Sequence, residues 1–114
     1  MTPPWRQIGT RRVANSEHLR VVKQGSVLFA QWRLENPSTP LDLEGADLAG
    51  LELRQVKIRD ANLRGANLVN AQLSRTSLAG ADLVGADLTG AELGRAALAG
   101  ANLSGANLTA VNLF

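Results

Sequence analysis

One apolar position recurs every five residues through the last two thirds of the chain. It begins at Leu43 and ends at Leu113, giving fifteen central positions, fourteen of them Leu and the other Ile58. The residue two before each centre is Ala in ten of the fifteen; Leu41, Leu51, Val56, Thr76 and Val111 fill the rest. Neither regular element accommodates this period. A strand alternates at 2 and a helix repeats at 3.6. On a helix, five residues advance about 500°, so the stripe would drift by roughly 140° per repeat and bury no single face. Gly stands two after the centre at eight positions (45, 50, 65, 80, 85, 90, 100 and 105), each costing a helix about 1 kcal/mol relative to Ala. What fits is one short extended segment and one turn per repeat. The central residue and the small residue before it point inward, and the other three positions point out. The chain is therefore a repeat solenoid.

Repeats such as Ala46-Asp47-Leu48-Ala49-Gly50, Ala61-Asn62-Leu63-Arg64-Gly65 and Ala101-Asn102-Leu103-Ser104-Gly105 carry the pattern A(D/N)LXX. This resembles the pentapeptide-repeat family, and the resemblance covers residues 41–114. It implies an all-β solenoid, a right-handed quadrilateral β-helix, here of just under four coils. Four repeats then close a coil of twenty residues, and residues twenty apart stack at ~4.8 Å. Four interior columns are expected: Leu43, Leu63, Leu83 and Leu103; Leu48, Leu68, Leu88 and Leu108; Leu53, Leu73, Leu93 and Leu113; and Ile58, Leu78 and Leu98.

The first forty residues differ. Six basic side chains face two acidic ones there, whereas residues 41–114 hold six basic and eight acidic side chains. The reading divides the chain into a flexible tail (1–15, with Trp5 its one anchor), a capping α-helix (16–36), a Pro-rich bridge (37–40) and the repeats (41–114). Ser16 is the expected N-cap, with Glu17 in the first turn. Val21, Val22, Leu28, Phe29 and Trp32 form the packing arc, and Gly25 within it would permit a close approach. Asn36-Pro37 ends the helix. A solenoid end needs a cover for its open edge, and this helix is adjacent. The segment from His18 to Pro37 also resembles a leader found before such repeats in bacterial, notably cyanobacterial, proteins, departing from it at Ser26 and Phe29. At the far end Val111-Asn112-Leu113-Phe114 stays in register with no cap following, so an end-to-end homodimer centred on Leu113 and Phe114 is expected.

Catalytic chemistry finds little purchase. There is no Cys and one His, His18, so a metal site or a His-based triad lacks partners. No catalytic residue, metal ligand or cofactor site is assigned, and no small-molecule substrate. The Asp residues at 42, 47, 82 and 87 alternate with Asn at twenty-residue spacing and read as a solubilising ladder. Arg54, Arg75 and Arg95 share one outer corner, a possible partner patch or a set of intrastack ion pairs. No apolar run reaches the length of a membrane span, and the first residues lack a secretory h-region; a cytoplasmic setting is expected. The function read from these features is a non-catalytic structural or interaction module with a protein partner. The resemblance also offers DNA mimicry that protects a type II topoisomerase, disfavoured by weak acidity and short length. Nucleic-acid or anionic-surface contact through the basic leader is a further alternative.

Overall fold

The computed structural model describes residues 14–114; the expected tail anchor, Trp5, lies outside them, as do Arg6, Arg11 and Arg12. Two helices open the described chain, α1 (Ser16–Lys23) and α2 (Ser26–Glu35). From Leu41 onward the backbone pairs with itself at a fixed offset of twenty residues. Parallel bridges run Asp42 to Asn62 to Asp82 to Asn102, and likewise Asp47 to Asn67 to Asp87 to Asn107. Two further series run Glu52 to Gln72 to Glu92 to Asn112, and Lys57 to Ser77 to Ala97. These define four faces, numbered here in chain order.

The inter-coil bonds repeat along the first three coils. The Leu43 N–H donates to the Asn62 carbonyl (2.8 Å), Gly45 N–H to Arg64 (2.8 Å), and Asn62 N–H back to Leu41 (2.8 Å). Within a repeat, Ala46 N–H closes a turn onto the Leu43 carbonyl at 3.1 Å. The third residue of that turn, Gly45, has φ +69°, the requirement of a type II turn and the reason Gly recurs there. Where Gly is absent the conformation persists: Gln55, Asp60, Asn70, Arg75, Arg95 and Ala110 all have φ between 57° and 66°.

The interior is made of the expected columns. The central residues from Leu43 through Leu93 are buried, as are Ala46, Ala61, Ala66, Ala71, Ala81, Ala86 and Ala91 beside them. The last four centres depart from the expectation. Leu98 and Leu103 are partly buried, Leu108 is 46% exposed and Leu113 63% exposed. Among the described residues none stacks over these four centres.

The helical segment corrects the reading in four ways. It is two helices, because Gly25 adopts φ +97° and starts α2 afresh. A Cβ at Gly25 would meet nothing within 4 Å, so its role is backbone conformation and not close approach. Asn15, not Ser16, caps α1, its side chain accepting from the N–H groups of Glu17 (2.9 Å) and His18 (3.1 Å). The break also changes the helical phase, leaving Leu28 50% exposed while Val21, Val22 and Phe29 stay buried. Trp32 is partly buried against the same core and stacks on Phe29 at 5.8 Å.

Backbone groups at the start of the repeats find partners in this segment. Asn15 N–H donates to the Asp42 carbonyl at 2.9 Å. The Asp42 N–H donates to His18 Nδ1 at 3.0 Å. Arg33 Nε donates to the Lys57 carbonyl at 3.2 Å. Asn15 is thus part of the fold, not of a tail.

A candidate cationic face and groove

The Asp and Asn before each centre do more than solubilise. Asp87 Oδ1 accepts from the Thr89 N–H (3.0 Å) and from its hydroxyl (2.6 Å), and these bonds hold its carboxyl below the usual range. Asn67 accepts from Val69 N–H (3.0 Å), Asp82 from Val84 (3.1 Å) and Asn102 from Ser104 (3.0 Å). The side chain reaches the N–H two residues on, an Asx turn that satisfies the one turn amide the coil ladder leaves over. The ladder also links coils. Asn62 is fully buried, and its Nδ2 donates to Asp42 Oδ1 (3.2 Å) and Glu44 Oε1 (3.0 Å). Asp42 is itself 5% exposed, and burial pushes its carboxyl upward.

His18 has a defined task. Its Nδ1 accepts a backbone N–H, which requires the neutral ring with its proton on Nε2. Burial lowers its pKa, opposed by the nearby Asp42 carboxylate. Its edge packs on Trp32 at 5.7 Å between centroids.

Charge is segregated between faces. Residues 54–60, 74–80 and 94–100 form the fourth face with its two corners. They hold five cations (Arg54, Lys57, Arg59, Arg75 and Arg95) and one carboxylate, Asp60. The rest of the repeats hold one cation, Arg64, against seven carboxylates. The expected patch resolves into unlike members. Arg54 pairs with Glu52 at 3.1 Å, and Arg64 pairs with Asp82 at 3.0 Å. Among the described residues, Lys57, Arg59, Arg75 and Arg95 have no carboxylate within ion-pair distance. Arg75 and Arg95 stack with Gln55 in the left-handed corner, whereas Arg54 stands one residue earlier.

At the base of this face a groove of about 470 Å³ runs between the end of α2, the bridge and the fourth face. Arg33, Lys57 and Arg59 supply its positive charge against one lining carboxylate, Asp60, and Leu34, Pro37 and Pro40 supply its apolar wall. Arg33 is fixed in place. Its Nη1 donates to the carbonyls of Asn36 (3.0 Å) and Thr39 (2.9 Å), and its guanidinium lies 5.4 Å from the Trp32 ring centroid. Nε and Nη1 are used; among the described residues Nη2 has no hydrogen-bond partner. A second groove beside Ser26, Glu52, Arg54 and Arg75 is already engaged internally, since the Ser26 hydroxyl donates to Glu52 Oε1 at 2.6 Å. Sequence reasoning missed the groove because Arg33 lies on a helix and Lys57 and Arg59 lie 24 and 26 residues on. Among the described residues, no group of three or more His, Cys, Asp or Glu is placed to hold a metal ion. No described helix is long and apolar enough to cross a membrane.

The family model described as pentapeptide repeats matches eight copies, over residues 41–75, 57–95 and 88–113. Among solved structures, the chain is similar to a pentapeptide repeat protein from the thylakoid lumen of Arabidopsis thaliana (39% identity, TM-score 0.50, 63% of this chain and 46% of that one). It is also similar to HetL, a pentapeptide repeat protein involved in heterocyst differentiation regulation in the cyanobacterium Nostoc sp. strain PCC 7120 (36% identity, TM-score 0.39, 60% and 37%). Another Nostoc pentapeptide repeat protein shares 28% identity over 91% of this chain and 79% of its own, with a TM-score of 0.43. The chain spans less than half the length of the first two. No curated protein matches it. The five-residue period, the twenty-residue bridge register and the matched repeats make this chain a member of the pentapeptide-repeat family, a right-handed β-helix solenoid.

Proposed function

We propose that the chain is a non-catalytic interaction module: a quadrilateral β-helix of just under four coils, capped at its first coil by α1 and α2, that offers its faces to a protein partner. One observation carries this reading. The Asp and Asn side chains before the centres, where chemistry would otherwise be sought, are engaged in closing the repeat's own turns. The cap reading is supported by the bonds from Asn15, His18 and Arg33 to backbone of the first coil. The cytoplasmic setting belongs to the same proposal and rests on the sequence. Affinity capture from the native host with the full chain tests the function. A protein that co-purifies, binds the purified chain directly and is lost on disrupting one face supports it. Inhibition of gyrase supercoiling, or salt-dependent DNA binding with no protein partner, refutes it.

The same module is proposed to dimerise through its last coil. Phe114 is fully exposed beside Leu113 and Leu108, and open coil edges of this kind pair. Light scattering across a concentration series tests this: a dimer that Leu113→Asp dissociates supports it, and a monomer at every concentration refutes it.

A further inference from the structure

Resting on the reading of the chain as a protein-interaction module, we infer that the groove between α2 and the fourth face binds an acidic segment of the partner that also carries apolar side chains. The charge requirement comes from Arg33, Lys57 and Arg59, three cations against the one lining carboxylate, Asp60; among the described residues none of the three has a carboxylate within ion-pair distance. A guanidinium immobilised by its other nitrogens loses little freedom on donating to a carboxylate. The apolar requirement comes from α2 and the bridge. Leu34 is 83% exposed there, beside Pro37 and Pro40. Val27, 80% exposed, lies seven residues earlier on the same side of α2, about 10 Å along its axis. The apolar strip thus extends beyond the groove, as an elongated segment would need.

The wall also separates this occupant from others. A phosphate backbone has no use for Leu34 and Val27, and no exposed aromatic side chain lines the groove for bases to stack on. Residues 1–13 carry three arginines and no carboxylate, so their charge does not complement the groove. The groove volume falls within the range of sites that bury a ligand, roughly 300–1,000 Å³.

The test is fluorescence anisotropy on the full chain, using a labelled peptide of about twelve residues that alternates Glu with Leu, at low and high salt. Saturable binding that weakens with salt is expected. Lys57→Glu with Arg59→Glu should weaken it at least about tenfold, and Leu34→Asp at least about fivefold. Arg95→Glu, a charge reversal outside the groove, should change it less than about twofold. The three variants must keep the wild-type unfolding midpoint, and all are surface changes. Absence of saturable binding overturns the inference. An Arg95→Glu effect equal to the groove pair overturns it in favour of unspecific charge attraction. Insensitivity to Leu34→Asp, or equal competition by duplex DNA, overturns it in favour of a polyanion. Self-association abolished by the groove variants assigns the groove to a second copy. If a partner captured from the host still binds the Lys57→Glu, Arg59→Glu chain, this groove is refuted while the interaction-module reading stands.

Discussion

Truncating one column at successive heights separates a buried centre from an open one. Leu63 is fully buried between Leu43 and Leu83, so Leu63→Ala removes packed methyl groups and leaves a cavity between two coils. Such changes cost about 2–5 kcal/mol. Leu113 keeps 63% of its surface in water, so Leu113→Ala forfeits only the remaining third of a burial worth about 2 kcal/mol in full, and should cost below about 1 kcal/mol. Leu103, partly buried, should fall between them. Urea unfolding at low micromolar protein reads this directly. With a slope near 1.5 kcal/mol/M, Leu63→Ala should lower the midpoint by about 2 M, and Leu113→Ala by less than about 0.7 M. Equal costs at 63 and 113 would refute the reasoning, since they would mean that the last coil is covered as well as the second. A Leu113→Ala cost that grows with protein concentration would mark the proposed dimer.

Asn62→Ala should destabilise by about 2 kcal/mol, because it strands the Arg64 N–H and removes bonds to the buried Asp42 and the half-buried Glu44; Asn107→Ala, at an exposed turn, should cost under about 1 kcal/mol by the same unfolding assay. Arg75→Gly should stabilise by about 1 kcal/mol, relieving a side chain held at φ +60°, whereas Gly80→Ala should destabilise because it places a side chain at φ +71° and makes the Asp60 carboxylate swing aside; opposite midpoint shifts check both. The lowered His18 pKa favours the neutral ring in the fold. Its contribution is complete above the unfolded value near 6.5 and is lost as pH falls from there toward the folded value. Asp42, raised by burial, acts in the opposite sense at more acid pH. Glu17 and Arg33 also face the ring. Unfolding midpoints between pH 7.5 and 5 should therefore drop, and His18→Asn, which offers an acceptor that does not titrate, should flatten that slope.

The repeat was legible because its period is a geometric signal. Leu at every fifth position and twenty residues per coil follow from counting, and the bridges fall at that offset. The turn chemistry was less visible. Asp and Asn at one position suggest solubility until Asp87 is seen gripping Thr89; the signal available was their fixed place two residues before a turn amide. The helix break escaped because Gly25 sits in an apolar arc, and a positive φ leaves no periodic trace. His18 and Asp42 meet across 24 residues, a contact that only the docking of α1 creates. The segregation of charge was countable once each residue was assigned to a face, but the groove needed α2 in position. Leu28, expected inside, lies outside for the same reason: its phase was set by a helix that the chain interrupts.

The twenty-residue coil register is tested most directly by scalar couplings across backbone hydrogen bonds in a deuterated sample. Coupling is expected from Leu63 nitrogen to the Asp82 carbonyl carbon, from Gly65 to Val84, and in the reverse direction from Asn62 to Leu41. The same pattern should recur for Leu68 with Asp87 and Leu73 with Glu92. Couplings confined to partners three or four residues away, or displaced by one repeat, would contradict the four-sided coil and every face assignment built on it.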